Sequence, residues 1–227
     1  MKLARLLGDD PERFAYLERL DPAAVRSLRD LATDVLYDGD RRLGRVAIAS
    51  RIPPAPLTAW IAQHLFGPLL CARVAGLLEP RRAIDLARRM PPQYLADLAM
   101  QLDPRRVSAI IRGLAPALIA RVAAQLAVRD EHIVMGRFVG HMTDEALLAA
   151  FAVLDDASLL RIAYFVEEKD QLDNVIGLLS TERLRGVIRS AVDEDAWPLV
   201  DGVLEHVSGE RAAVLIELIA EAGGRRN

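Results

Sequence analysis

The fold is decided by residues 86–126, LARRMPPQYLADLAMQLDPRRVSAIIRGLAPALIARVAAQL, which repeat one apolar pattern every twelve residues. The pattern places apolar side chains at positions i, i+3, i+4 and i+7, which share one face of an α-helix. It starts at Leu95, at Val107 and again at Ile119. Each set spans about two helical turns. The stretch therefore predicts a series of short amphipathic helices of similar length.

The same pattern continues in both directions along the chain. The steps between sets are twelve or thirteen residues, apart from two steps of sixteen. The other sets start at Thr58, Cys71, Ala83, Met135, Leu147, Leu159, Leu172, Leu184, Val200 and Ala212. A repeat of nearly fixed period is typical of proteins built from stacked units.

Proline and small polar residues mark where each helix is predicted to begin. Pro80, Pro92, Pro104 and Pro116 each lie three residues before a set, in the first helical turn, where a missing backbone N–H costs nothing. Side chains able to cap a helix lie four residues before a set at Asp103, Thr143, Asp155, Ser180 and Ser208. We expect each of these residues to open a helix.

The composition favours helices over sheets. Hydrophobic residues make up 52% of the 227-residue chain and aromatic residues only 5%, and Ala and Leu are good helix formers. Helices of about ten residues are marginal alone and must bury their apolar stripes against one another. The predicted fold class is therefore all-α, an α-solenoid in which short antiparallel helices form a superhelical stack.

The N-terminal part is less regular. Residues 1–50 are predicted to form a helical cap on a solenoid of residues 51–227, with Asp-Pro pairs opening helices in DPERFAYLERL and DPAAVRSLRDLATDVLY. In the second of these helices the core pattern is followed by Leu28, Leu31, Ala32 and Val35. We expect these four side chains to face the stack, and DGDRRLG, residues 38–44, to form a turn.

One segment has the length of a membrane span. Residues 52–72 are 21 consecutive uncharged residues, and a bilayer core requires about 20. Five Pro and Gly residues divide the segment, and Gln63 and His64 lie in its middle, so we predict a buried helical hairpin and no transmembrane segment. A single cysteine and the lack of a secretion signal favour a cytoplasmic location.

Charge is distributed unevenly along the chain. Residues 41–130 carry 14 basic and 5 acidic side chains, whereas residues 131–227 carry 9 basic and 18 acidic ones. Such polarity steers charged partners and favours head-to-tail contact between copies of the protein. A solvated surface on each half is the competing interpretation.

The candidate partner surface combines residues from both halves. Its members are Arg81, Arg82, Arg88, Arg89, Arg105, Arg106, Glu167, Glu168 and Asp170. The arginines recur with the repeat, so nucleic-acid binding through residues 41–130 is an alternative. Few aromatic residues accompany them and no recognition motif is present, which argues against that alternative.

Histidine and cysteine side chains are the remaining candidates for metal binding or catalysis. His132 and His141 are nine residues apart, a spacing that matches no common helical ligand pair, and surface or capping roles are favoured for them. Cys71 occupies a core position, which favours an inert thiol. The sequence contains no nucleophile elbow, phosphate loop or dinucleotide motif. We therefore predict a protein that is not an enzyme and has no metal site or cofactor.

Residues 86–126 resemble the short-helix superhelical repeats in the N-terminal cytosolic domain of MgtE-type magnesium transporters and, more distantly, those of the flagellar motor switch protein FliG. The resemblance rests on leucine spacing and on proline-rich helix starts. It implies the fold and a regulatory module, with peripheral association with a membrane protein. No metal-binding residue of that family is carried over to this chain.

These observations predict a cytoplasmic, non-catalytic helical scaffold, from a GC-rich bacterial genome, that binds a protein partner or self-associates. One alternative is the nucleic-acid binder described above. Another is a binder of an apolar small molecule or lipid that uses a groove near Trp60 and Tyr94.

Overall fold

A computed structural model describes residues 10–38, 41–49 and 53–222 of the chain. Within these residues every regular element is a helix and no strand is present. The all-α prediction is therefore confirmed. Most connections between helices are turns of a few residues.

The described helices are short. Three 3₁₀-helices cover Pro11–Arg19, Val139–His141 and Lys169–Gln171. The α-helices are α1 (Pro22–Asp38), α2 (Arg41–Ala49), α3 (Ala55–His64), α4 (Pro68–Ala75), α5 (Pro80–Ala87), α6 (Pro92–Gln101), α7 (Ser108–Arg112), α8 (Pro116–Ala127), α9 (His132–Phe138), α10 (Asp144–Phe151), α11 (Asp156–Phe165), α12 (Leu172–Leu178), α13 (Thr181–Asp193), α14 (Trp197–Leu204) and α15 (Gly209–Glu221).

Most helices from α2 to α13 pack on the helix two places further along the chain. One series of contacts runs from α2 to α4, α6, α8, α10 and α12. A second series joins α3 to α5 and α7, continues through the segment of α9 and Val139–His141, and reaches α11, α13 and α15. Successive helices thus alternate between two neighbouring layers, and α14 packs against α11 and α13.

The repeated apolar positions form the interior. All of them are buried or half-buried except Leu65 and Ile216, which are 68% and 55% exposed. The largest cluster of buried side chains extends from Ala96 to Val175, and two smaller clusters lie in the C-terminal helices. The period read from the sequence therefore identifies the inward face of nearly every helix.

Most of the predicted helix starts are correct. Pro80, Pro92 and Pro116 are the first residues of α5, α6 and α8. Three predicted caps accept a hydrogen bond from a first-turn backbone N–H: Thr143, Asp155 and Ser180. Ser208 occupies the cap position of α15 without a side-chain hydrogen bond.

The predicted helix start at Pro104 is wrong. Residues 104–107 form a turn, and α7 begins only at Ser108. The Asp103 side chain is buried and accepts hydrogen bonds from the backbone N–H and from the guanidinium of Arg105. Such local bonds compete with helical hydrogen bonding, so the chain turns for four residues before the short α7 forms.

The predicted orientation of α1 is also wrong. Leu28, Leu31 and Val35 are 49%, 66% and 68% exposed, and only Ala32 of the four predicted core residues is half-buried. The opposite side of the helix faces the other helices, where Arg29 and Thr33 are buried. Ion pairs hold that polar side, as described below, and so the apolar stripe is left in solvent.

The region between the predicted cap and solenoid differs in detail from expectation. Residues 41–49 form α2, although residues 38–44 are predicted to be a turn; residues 39 and 40 lie outside the described part of the chain. The predicted domain boundary at residue 50 also lies outside it. Among the described helices, none combines the length and the apolar character that a bilayer span requires.

Candidate functional site

The predicted partner residues of the basic half are partly engaged by α1. Arg106 donates a 2.9 Å hydrogen bond to Asp34, and Arg105 forms a 3.2 Å ion pair with Asp30. Both arginines also contact the buried carboxylate of Asp103. The turn after α6 is therefore the docking point for the carboxylates of α1.

The acidic half contributes one residue to the same contact. Glu167 accepts a hydrogen bond from Arg29 of α1, and Arg137 lies 3.8 Å from its other oxygen. Burial opposes the charge on Arg29, but hydrogen bonds to Asp30 and Glu167 outweigh this effect and raise its pKa. As a result, α1 bridges the basic and acidic halves with charges of both signs.

The remaining arginines of the predicted surface are separate from this contact. Arg82 is half-buried and donates hydrogen bonds to the carbonyl of Pro53, at 2.7 Å, and to the hydroxyl of Thr58, at 3.2 Å. Arg89 pairs with Asp85 on its own helix at 3.1 Å. Two further members of the surface are exposed: Arg81 and Arg88. Several arginines thus serve intrachain contacts, and nucleic-acid binding through residues 41–130 stays a prediction.

The other predicted acidic residues, Glu168 and Asp170, are exposed. Glu168 lies 3.6 Å from His141, and Asp170 belongs to the 3₁₀-helix Lys169–Gln171 that leads into α12. Three members of the predicted surface contact α1: Glu167 pairs with Arg29, Arg105 with Asp30 and Arg106 with Asp34.

A surface role for His132 is wrong, because this side chain is buried. One ring nitrogen lies 3.1 Å from the hydroxyl of Ser158, and the ring also bonds the backbone of Asp130. Burial, together with the charge of Arg161, lowers the pKa of His132. The imidazole therefore joins the start of α9 to α11 in its neutral form.

The His132–Ser158 pair contains a base and a hydroxyl, and both side chains are buried. Neither residue lines either of the two cavities described for this chain. Within residues 10–38, 41–49 and 53–222, no three His, Cys, Asp or Glu side chains are grouped so that they could hold a metal ion. The pair is best described as a structural hydrogen bond.

Cys71 is half-buried and takes part in a small polar cluster. The Tyr94 hydroxyl donates to the carbonyl of Ala62 at 2.8 Å and lies 3.2 Å from the Cys71 sulfur. Burial raises the pKa of the Cys71 thiol, so the group stays protonated at neutral pH. Burial also raises the pKa of Tyr94.

A large apolar cavity, partly open to solvent, lies between the helices. It has a volume of about 450 Å³ and extends from Val46 of α2 to Ile162 of α11. Nearly all of its lining residues belong to the repeated apolar sets, which the sequence assigns to a packed core. Phe66, which is 37% exposed, lies among the lining residues near the surface.

A cavity of this size is unusual for a protein interior. Cores are close-packed and contain few voids larger than a water molecule. This cavity is partly open to solvent, and its lining is almost entirely apolar. The cavity is therefore the strongest candidate binding site in the described part of the chain.

Neither of the two residues named for the predicted groove, Trp60 and Tyr94, lines this cavity. Trp60 is 52% exposed and stacks on His64 instead of lining the cavity. Tyr94 is also outside the lining, but its hydroxyl bonds to Ala62 and Cys71, which do line the cavity.

Fold and site together define an all-helical protein with a large internal apolar cavity and an N-terminal helix held by ion pairs. Comparison with known protein families, curated proteins and solved structures finds no significant match for this chain.

Proposed function

We propose that this protein is a non-catalytic helical-repeat scaffold, a superhelical α-solenoid that binds a protein partner through the exposed apolar stripe of α1. The packing of most helices on the second one after them supports the solenoid arrangement. The chemically reactive side chains support a non-catalytic role, since Cys71 is a protonated thiol and His132 forms a buried structural contact.

The observation that carries the proposal is the orientation of α1. Leu28, Leu31 and Val35 lie on one side of the helix at the spacing i, i+3 and i+7 and are exposed. An amphipathic helix normally turns such a stripe inward. Here the polar side is held by pairs to the rest of the chain, so the apolar side is presented for an external contact.

The partner that fits this stripe is a protein with an apolar helix face or groove, because i, i+3 and i+7 anchors are the usual way in which a helix docks. The opposite charges of residues 41–130 and 131–227 make a second copy of this chain one such partner. As the resemblance to MgtE-type domains implies, the proposal includes a regulatory role beside a membrane protein.

The test compares capture by the intact chain with capture by variants. Leu31→Gln combined with Val35→Gln removes two anchors from the stripe. Val128→Gln is the matched control, because Val128 is 84% exposed at the end of α8, away from α1. Circular dichroism establishes that each variant is folded.

Cross-linking in native lysate followed by mass spectrometry identifies the partner, and light scattering measures self-association. We expect the amount of captured partner, or of oligomer, to be more than about tenfold lower for the double variant than for the intact chain, as when interface hot spots are removed. The Val128→Gln variant should retain both. Equal capture by all three proteins, or a lone monomer with no partner, would overturn the proposal.

A further inference from the structure

The lining of the internal cavity shows what kind of ligand it accepts. Apart from methionine sulfurs, its side chains are hydrocarbon except for Thr58 and Cys71. The Thr58 hydroxyl is 3.2 and 3.3 Å from the carbonyls of Pro54 and Pro53, and the Cys71 sulfur is in contact with Tyr94. Since these polar atoms are already used by the protein, the body of a ligand must itself be apolar.

The extent of the cavity limits the shape of that ligand. Its lining runs through the stack from Val46 of α2 to Ile162 of α11. A long and slender molecule can follow such a lining.

A positive charge lies next to one end of the cavity, although Arg82 is not itself a lining residue. Pro53 and Thr58 belong to the lining, and the guanidinium of Arg82 is bonded to both, at 2.7 and 3.2 Å. Arg82 is half-buried, and the surrounding segment of residues 41–130 has an excess of basic side chains. An anionic group at this end would therefore meet a complementary charge.

We propose that the cavity binds one long-chain fatty acid, with its hydrocarbon chain along the apolar lining and its carboxylate beside Arg82. The ligand fills space that the repeated apolar side chains leave open. This site is separate from the stripe on α1, because none of Leu28, Leu31 and Val35 lines the cavity.

Two adjacent alanines of α8 provide a matched test of whether the hydrocarbon chain of the fatty acid binds in the cavity. Ala123 lines the cavity, whereas its neighbour Ala124 does not. Ala123→Leu adds three carbons inside the cavity and Ala124→Leu adds them outside it. Calorimetric titration of the full-length protein with palmitate, below its micellar concentration, measures the affinity.

We expect one palmitate per chain for the wild type. Ala123→Leu should weaken binding more than about tenfold, because it displaces several methylene groups of the ligand. Ala124→Leu should change the affinity less than about twofold. The proposal fails if the wild type takes up no palmitate, or if Ala123→Leu binds it as tightly as the wild type does.

The position of the carboxylate beside Arg82 is tested with the Arg82→Gln variant and with hexadecanol, which has the same chain length as palmitate and no charge. Arg82→Gln should weaken palmitate binding by roughly tenfold, as expected for loss of a partly buried charge partner, and leave hexadecanol binding unchanged. An equal loss for both ligands would refute the placement of the carboxylate. Binding of phosphatidylcholine vesicles without uptake of palmitate would refute a fatty-acid site and indicate a membrane surface instead.

Discussion

Filling the internal cavity with a larger side chain should stabilise this protein, and Ala99 is the position that tests it best. Ala99 lies on α6, is buried and lines the cavity. Leucine adds three carbons, which contribute about 2.4 kcal/mol at about 0.8 kcal/mol per buried methylene. Ordering the larger side chain costs about 0.5–1 kcal/mol. We therefore expect Ala99→Leu to raise the free energy of unfolding by about 1.5 kcal/mol.

Urea unfolding followed by circular dichroism measures this change, and scanning calorimetry should show a rise in Tm of about 3–6 °C. The control is Ala96→Leu on the same helix, where the alanine is fully buried but does not line the cavity. Overpacking at that site should lower the free energy of unfolding by about 1–3 kcal/mol. If Ala99→Leu lowers the free energy of unfolding as much as Ala96→Leu does, the interior around Ala99 is close-packed, and there is no cavity beside it to fill.

Three further predictions concern α1, the buried histidine and the cysteine. Replacing Arg29 with Met removes the cation that pairs with Glu167. The free energy of unfolding should fall by about 1–3 kcal/mol, and amide exchange in α1 should become faster. The control Arg88→Gln, at an exposed position, should change neither quantity. Because burial lowers the pKa of His132, the folded state favours the neutral ring. The neutral His132 ring therefore makes its full contribution to the free energy of unfolding above pH about 6.5, and this contribution is lost as the pH falls below that value. The His132→Gln variant should not show this loss of stability. The Cys71 thiol, whose pKa is raised by burial, should react with a disulfide reagent at pH 8 more than about tenfold slower in the folded protein than in urea. Equal rates would contradict the buried thiol.

Much of the helical architecture could be predicted from the sequence. The apolar period at Leu95, Val107 and Ile119 identifies buried faces because a helix of 3.6 residues per turn brings i, i+3, i+4 and i+7 together. Proline in the first turn and a capping oxygen before it mark most starts for equally local reasons. The exception at Pro104 arises where Asp103 bonds to its own neighbours.

The orientation of α1 could not be predicted, because its pattern is that of an ordinary amphipathic helix. Which side faces inward depends on Arg105, Arg106 and Glu167, which lie more than 70 residues away in the sequence. Periodicity reports the spacing of apolar residues within a helix, but it contains no information about such distant ionic partners.

The cavity could not be predicted for a related reason. A repeated apolar position reports that a side chain faces inward, but it does not report whether opposing side chains meet. Small residues such as Ala87, Ala99 and Ala123 recur in the sets and line the cavity. They are the only sequence signal of the space, and the same residues are equally compatible with a close-packed core.

Most of the short helices stack on the second one after them, and a designed disulfide between the ends of α4 and α6 tests this arrangement. A Cβ added at Gly76, at the end of α4, would lie 3.5 Å from the Cβ of Arg106, in the turn after α6. That separation is within the range for a disulfide, about 3.5–4.5 Å. We expect Gly76→Cys with Arg106→Cys, in a Cys71→Ser background, to cross-link under mild oxidation in the folded protein and not in urea. Gly67→Cys with Arg106→Cys is the control, since no atom approaches within 4 Å of a Cβ at position 67. Free thiols at positions 76 and 106 in the folded, oxidised protein would contradict the stack.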